Sequence, residues 1–225
     1  MLILSIDTST KVCSVALHQQ GQLLASYELY TEKSHSGMLT SLIQQAVAHT
    51  GHELQQLDAI AVAKGPGSYT GLRIGVSTAK GLCFALDKPL LAVNTLEAMA
   101  WQLKGLYASA WLCPMLDARR MEVYCAVYDA QGNVVSPTEA KIINEQSFEE
   151  LLSKNRVIFF GEGAAKCKAM LAHQAHAVFP ETGVTPSAKT VGLLAAQAFH
   201  NQQFEDVVSF EPFYLKEFVS TSSLR

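Results

Sequence analysis

An apolar run that ends in an aspartate occurs twice in this chain, and each time the same punctuation follows. Leu2–Ile6 runs into Asp7, and Leu112–Leu116 runs into Asp117. Beyond each aspartate lies a stretch with the alternation of a half-buried strand, Val12–His18 in one case and Glu122–Asp129 in the other. Each of these leads to a hairpin turn carrying a glycine, Gln19-Gln20-Gly21 and Ala130-Gln131-Gly132-Asn133. Laying Ser14–Leu24 over Cys125–Val135 puts turn on turn. A chain written this way reads strand, hairpin, strand, helix, strand, helix, and then repeats. The expected architecture is a two-lobed α/β protein with mixed sheets and a cleft between the lobes.

The intervening segments fit that order. Leu23–Tyr30 returns from the first hairpin, and from Ser36 the period becomes helical, with Met38, Leu39, Leu42, Ile43, Ala46 and Val47 on one stripe. Ser34 or Ser36 is the candidate N-cap of this helix and Gly51 its stop. Asp58–Ala63 reads as a buried strand, residues 65–71 as a loop, Leu72–Leu86 as a helix, Leu90–Val93 as a strand and Thr95–Leu103 as a short helix. In the second half a helix is expected around Phe148–Leu152, a strand at Arg156–Phe160, a helix from Gly161-Glu162-Gly163 to about His173, and a last helix over Ser187–His200. The lobes are expected to divide as 1–105 and 106–200, with 201–225 packing back on the first.

Composition narrows the function. Of 225 residues 49% are hydrophobic and 16% charged, which suits an ordinary globular core. Net charge is −3 and no basic run exceeds Arg119-Arg120, so autonomous binding to RNA phosphates is disfavoured. The five cysteines are scattered and never in Cys-x-x-Cys spacing, which excludes a disulfide framework and a cysteine zinc site and points to a reducing, cytoplasmic setting. No signal peptide or membrane span is expected.

The chemistry-bearing residues gather at two places. Asp7-Thr8-Ser9 follows the first strand, and Lys64-Gly65-Pro66-Gly67-Ser68-Tyr69-Thr70-Gly71-Leu72-Arg73-Ile74-Gly75 follows the third apolar run. Ser68 lacks the Gly-x-Ser-x-Gly setting of a nucleophile and reads as a loop-and-cap serine. His35, His49, His52, His173 and His176 lack metal-ligand spacing and read as solvated or capping side chains. Gly71, Gly75 and Gly81 stud one helix, where each glycine costs about 1 kcal/mol against alanine, so close approach of another element should compensate. The neighbouring helix lacks Asp, Glu, Lys and Arg throughout residues 34–52. These two helices are therefore expected to form a shared surface for another subunit, built from Met38, Leu39, Leu42, Ile43, Ile74, Gly75, Thr78, Gly81 and Leu82.

A strand ending in aspartate followed by Thr8-Ser9 resembles the phosphate turn of the actin, sugar kinase and Hsp70 superfamily; a capped turn is the plainer reading. Taken with the segment from Lys64 to Gly75, it closely resembles the TsaB (YeaZ) family, bacterial proteins required for making threonylcarbamoyl-adenosine in tRNA. The likeness runs through about residues 1–105 and returns at Pro212-Phe213-Tyr214-Leu215, with Tyr69 where typical members carry Phe. It implies a duplicated actin-like fold and a non-catalytic scaffold that binds a metal-containing TsaD-like paralogue. It further implies a TsaE-like ATPase in the same complex, self-association as a homodimer when alone, and contact with tRNA only through the complex. No cofactor is expected. Thr95 and Met99 stand where the paralogue has metal-binding histidines, and Thr185–Lys189 offers no aspartate, so no metal is expected either. Asp117-Ala118-Arg119-Arg120 replaces the paralogue's glycine-rich phosphate turn, which leaves Asp7, Thr8, Ser9, Gly65 and Gly67 as a degenerate phosphate loop. The rival readings are an ATPase or small-molecule kinase using Asp7 and the Gly65–Gly71 loop, and, with the histidine pair missing, a zinc peptidase.

Overall fold

A computed structural model describes residues 1–30, 35–181 and 183–216. The first sheet contains β1 (Leu2–Asp7), β2 (Val12–Gln19), β3 (Gln22–Tyr30), β4 (Ala59–Gly65) and β5 (Leu90–Asn94), in the order β3-β2-β1-β4-β5. The second contains β6 (Trp111–Asp117), β7 (Glu122–Tyr128), β8 (Val134–Ile142), β9 (Val157–Phe160) and β10 (Ala177–Val178), in the order β10-β9-β6-β7-β8. The two orders are the same when each is read from its hairpin edge. In both sheets the aspartate-ended strand pairs antiparallel with the strand after it and parallel with the next apolar run. Asp7 and Asp117 thus occupy equivalent ends of equivalent strands.

Burial explains which runs are central. Every residue of β1 is buried, as is every residue of β9, because helices cover both faces of these strands and water meets neither. The edge strand β3 has no fully buried residue. Helices α1 (His35–Ala48) and α2 (Tyr69–Leu86) cover one face of the first sheet, with Leu39, Leu42, Ile43, Ala46, Val76 and Ala79 packed on Leu4, Val15 and Val62. Ser36 is the second residue of α1 rather than its cap, and Ser34 lies outside the described residues. Helix α2 starts three residues before the expected Leu72, since the Ser68 hydroxyl accepts from Gly71 N–H and caps it.

Two of the remaining helices, α3 and α6, cross between the halves. Helix α3 (Thr95–Leu103), capped by Asn94, follows the first sheet in sequence, yet its Leu96, Met99, Ala100 and Leu103 pack on Leu112, Leu116, Ala126 and Ile158 of the second. Helix α6 (Ala188–His200) follows the second sheet and packs on the first, setting Val191, Leu194 and Ala195 against Ile3, Ala59, Ala61, Leu91 and Val93. Helices α4 (Glu149–Lys154) and α5 (Glu162–Leu171) complete the second lobe. All five cysteines are free and buried. Residues 205–214 lie against the first lobe: Glu205 bridges Leu90, Val207 and Phe210 join the core under α2, and Phe213 N–H donates to Lys64 O at 2.7 Å. Residues 217–225 fall outside the described residues.

One packing detail under α6 has no counterpart in the sequence reading. His18 is 1% exposed, neither ring nitrogen has a partner among the described residues, and the ring lies where a Cβ on Gly192 would fall. Burial lowers the His18 pKa from its ordinary 6.5. The ring supports the fold while neutral, and that support is lost as pH falls below 6.5. Gly192→Ala is expected to cost about 1–3 kcal/mol through overpacking. In urea titrations the His18→Ala/Gly192→Ala pair should lose less than the sum of its parts.

Candidate functional site

The turn after β1 is closed by its own chain. Asp7 is 1% exposed; its Oδ1 accepts from Ser9 N–H at 2.9 Å and from Ser9 Oγ at 2.6 Å, while Oδ2 has no partner among the described residues. Burial lifts its pKa to about 6 against the opposing pull of the Ser9 hydrogen bonds. Thr8 Oγ1 donates to Gly71 O at 2.7 Å, and Ser68 N–H donates to Ser9 O at 2.6 Å. A Cβ on Gly67 would meet the Ser9 carbonyl, one on Gly71 the Thr8 carbonyl and one on Gly75 the Thr8 hydroxyl, each inside the 3.0 Å that real Cβ atoms keep. The glycines therefore let α2 and its leading loop lie directly on Thr8-Ser9. Gly65 has its own occupant: its φ is +113°, and Phe213 O lies 2.9 Å from where its Cβ would be.

The equivalent turn of the second lobe is filled by a cation. The Lys166 ammonium, from α5, pairs with Asp117 and donates to Arg120 O at 2.8 Å and Glu122 O at 2.6 Å. Arg119 and Arg120 both have positive φ, 67° and 51°, and Arg119 N–H donates to Asp117 Oδ1 at 2.9 Å. Partial burial works against Asp117 ionisation, but the Lys166 and Arg119 hydrogen bonds outweigh it and hold the carboxyl below its ordinary range. Backbone carbonyls converging on an ammonium are the opposite of what a phosphate needs.

Thr95 and Met99 are fully buried; Met99 packs among Leu96, Leu112 and Phe160. Among the described residues no three His, Cys, Asp or Glu side chains gather as metal ligands, and no helix is long and apolar enough to cross a membrane. His49 pairs with the Tyr27 hydroxyl at 2.5 Å and His176 with Leu152 O at 2.8 Å, contacts that span 22 and 24 positions of the chain.

The expected partner surface divides in two. Leu39, Leu42 and Ile43 are buried core residues, because the apolar stripe of α1 faces β2 and β3 rather than outward. Gly75 is also buried, turned toward Thr8. These four do not face a partner. Met38, Ile74, Thr78 and Leu82 are half-buried and Gly81 is exposed with open space beside it. Phe84, 87% exposed, extends the outer side of α2. The sequence reading missed Phe84, although an apolar residue three positions past Gly81 was there to be read. It also missed the Lys166 plug, whose contact across 49 positions leaves no local signal.

Comparison with known proteins settles the family. The model described as TsaD, tRNA N6-adenosine threonylcarbamoyltransferase, matches residues 28–220. The tRNA threonylcarbamoyladenosine biosynthesis protein TsaB of Bacillus subtilis is 35% identical over 174 residues, covering 76% of this chain and 75% of the relative. TsaB of Escherichia coli is 30% identical across 100% of this chain and 98% of its own length. The chain belongs to the TsaB (YeaZ) family. A Pseudomonas aeruginosa crystal structure with similarity to the peptidase YeaZ superposes with a TM-score of 0.85 at 28% identity, covering 96% of this chain and 99% of the other. YeaZ from Pseudomonas aeruginosa gives 0.78 at 27%, covering 95% and 99%. The activator of 2-hydroxyisocaproyl-CoA dehydratase from Clostridium difficile, with a TM-score of 0.51 at 9% identity over 90% and 97% of the chains, shares the fold alone. This TsaB-family chain has the duplicated, actin-like α/β fold.

Proposed function

We propose that the chain is a non-catalytic cytoplasmic subunit in tRNA threonylcarbamoyladenosine synthesis, binding and activating a TsaD-like paralogue that carries the metal and the transfer chemistry. A TsaE-like ATPase joins the same complex, tRNA is met only through it, and the subunit pairs with itself when alone. The observation that carries this reading is a contrast within one fold. Both turns that could cradle phosphate are filled from within, by Gly67, Gly71 and Gly75 in one lobe and by Lys166 in the other. Meanwhile α1 has no Asp, Glu, Lys or Arg, and α2 leaves Gly81 and Phe84 exposed and Thr78 half-buried, with Ile74 and Leu82 only partly covered by the core of their own lobe. Apolar area of that kind gains about 25 cal/mol per Å² when covered, before the costs of association.

Thr78→Arg tests it. Thr78 is half-buried on the outer side of α2, so the variant should keep its circular dichroism spectrum and melting temperature. Capture of the purified TsaD-family paralogue on size-exclusion chromatography should weaken by about 2–4 kcal/mol, because the new charge would be desolvated without a partner. A folded Thr78→Arg protein that still co-elutes with the paralogue would place the interface elsewhere.

A further inference from the structure

Helix α2 carries one charge with no carboxylate partner among the described residues. Helix α2 contains Arg73 and Lys80 and no acidic residue. The Lys80 ammonium is spent on the carbonyls of Val208 and Phe210, at 3.1 and 2.8 Å. Arg73 is exposed, and among the described residues no Asp or Glu pairs with it. It is nonetheless held in place. Its Nη1 donates to the Tyr69 hydroxyl at 3.1 Å, and its guanidinium lies 5.1 Å from the centre of the Tyr69 ring. Tyr69 in turn packs on Tyr214 with ring centres 5.0 Å apart. Tyr214 is fixed by its neighbour Phe213, which is bonded to Lys64 O and seated against Gly65. A terminal segment of the chain thus braces one arginine at the rim of the uncharged face.

Resting on the partner-binding reading above, we infer that Arg73, held beside Tyr69, which Tyr214 braces in turn, is the charge anchor of that face and takes a carboxylate of the partner protein. A guanidinium already held against an aromatic side chain loses little freedom when it meets a carboxylate, and with Nη1 on the Tyr69 hydroxyl it still has other N–H groups to donate. A second copy of the chain is a poor source of that carboxylate, since neither α1 nor α2 contains Asp or Glu. An RNA phosphate is a poorer fit than a protein, because phosphate binding draws on several cations and this face offers one. The anchor therefore favours the heteromeric partner over self-association.

The test is titration of the purified TsaD-family paralogue into wild type, Arg73→Glu, Tyr214→Leu and Thr78→Arg, at low and high salt. Arg73→Glu should weaken binding about tenfold or more and abolish most of its salt dependence, while self-association changes little. Tyr214→Leu should weaken binding about threefold, and adding it to Arg73→Glu should cost nothing further, since the brace acts only through the arginine. If Arg73→Glu binds like wild type while Thr78→Arg does not, the face is right and the anchor is wrong. If wild type fails to bind the paralogue, both readings fall together. Filter binding of tRNA to the chain alone, lost in Arg73→Glu, would overturn the assignment to a protein carboxylate.

Discussion

Gly71→Ala should unfold or severely destabilise the first lobe, and Gly81→Ala, ten positions further along the same helix, should stabilise it. Intrinsic propensity favours alanine at both positions by about 1 kcal/mol. At Gly81 nothing lies within 4 Å of the added methyl, so that gain should be realised as a slightly raised melting temperature. At Gly71 the methyl would fall on the Thr8 carbonyl, a backbone atom held in place by β1. Relief requires α2 to lift from the turn, with loss of the bond from Thr8 Oγ1 to Gly71 O and that from Ser68 N–H to Ser9 O. A cost of at least about 3 kcal/mol is expected, which outweighs the propensity gain. Gly75→Ala meets the Thr8 hydroxyl instead, a side-chain atom that can be removed. The Thr8→Ala/Gly75→Ala pair should therefore recover part of what Gly75→Ala loses, whereas Thr8→Ala should not rescue Gly71→Ala. Urea titrations of the set decide the matter; a stable Gly71→Ala protein would mean that the loop does not lie on the turn.

A second large effect belongs to Asp7. Its pKa in the fold is about 6 against an ordinary 3.8, so the native state holds the proton more tightly than the unfolded chain. The sign follows from linkage: the native state loses stability as pH rises from 3.8 through 6, and above that range the loss is complete. A shift of this size corresponds to about 3 kcal/mol. Asp7→Asn has no proton to lose. Whatever the amide costs by itself, its stability relative to wild type should improve by about 2 kcal/mol between pH 4 and pH 7. Parallel stability curves for the two proteins across that interval would show that Asp7 is solvated or paired.

Much of this fold was legible because it is written locally. The two aspartate-ended runs, the hairpin glycines and the stripe in α1 depend on neighbours within a few positions, and the paired sheets follow from their repetition. The partner surface was read less well for a definite reason. A stripe of small residues shows that something comes close without showing what, and Gly75 proved to receive Thr8 of its own lobe. The stripe of α1 likewise met its own sheet, so Leu39, Leu42 and Ile43 are core rather than surface. Lys166 in the turn at Asp117, His18 beneath Gly192, and Tyr214 on Tyr69 each join residues far apart in sequence, and composition or periodicity carries no trace of such contacts.

The crossing of α3 and α6 bears on how the chain is made. One face of the first sheet, with Ile3, Ala59, Ala61, Leu91 and Val93, is covered by Val191, Leu194 and Ala195. During synthesis all five strands of that sheet emerge long before α6 does, so the ribosome carries a half-finished sandwich with one bare apolar side while the whole second lobe is translated. Such a nascent chain is a natural client for a holdase that shields apolar surface. A message truncated before codon 188 would yield a product that stays bound to one or aggregates, even though every strand of the first sheet is present.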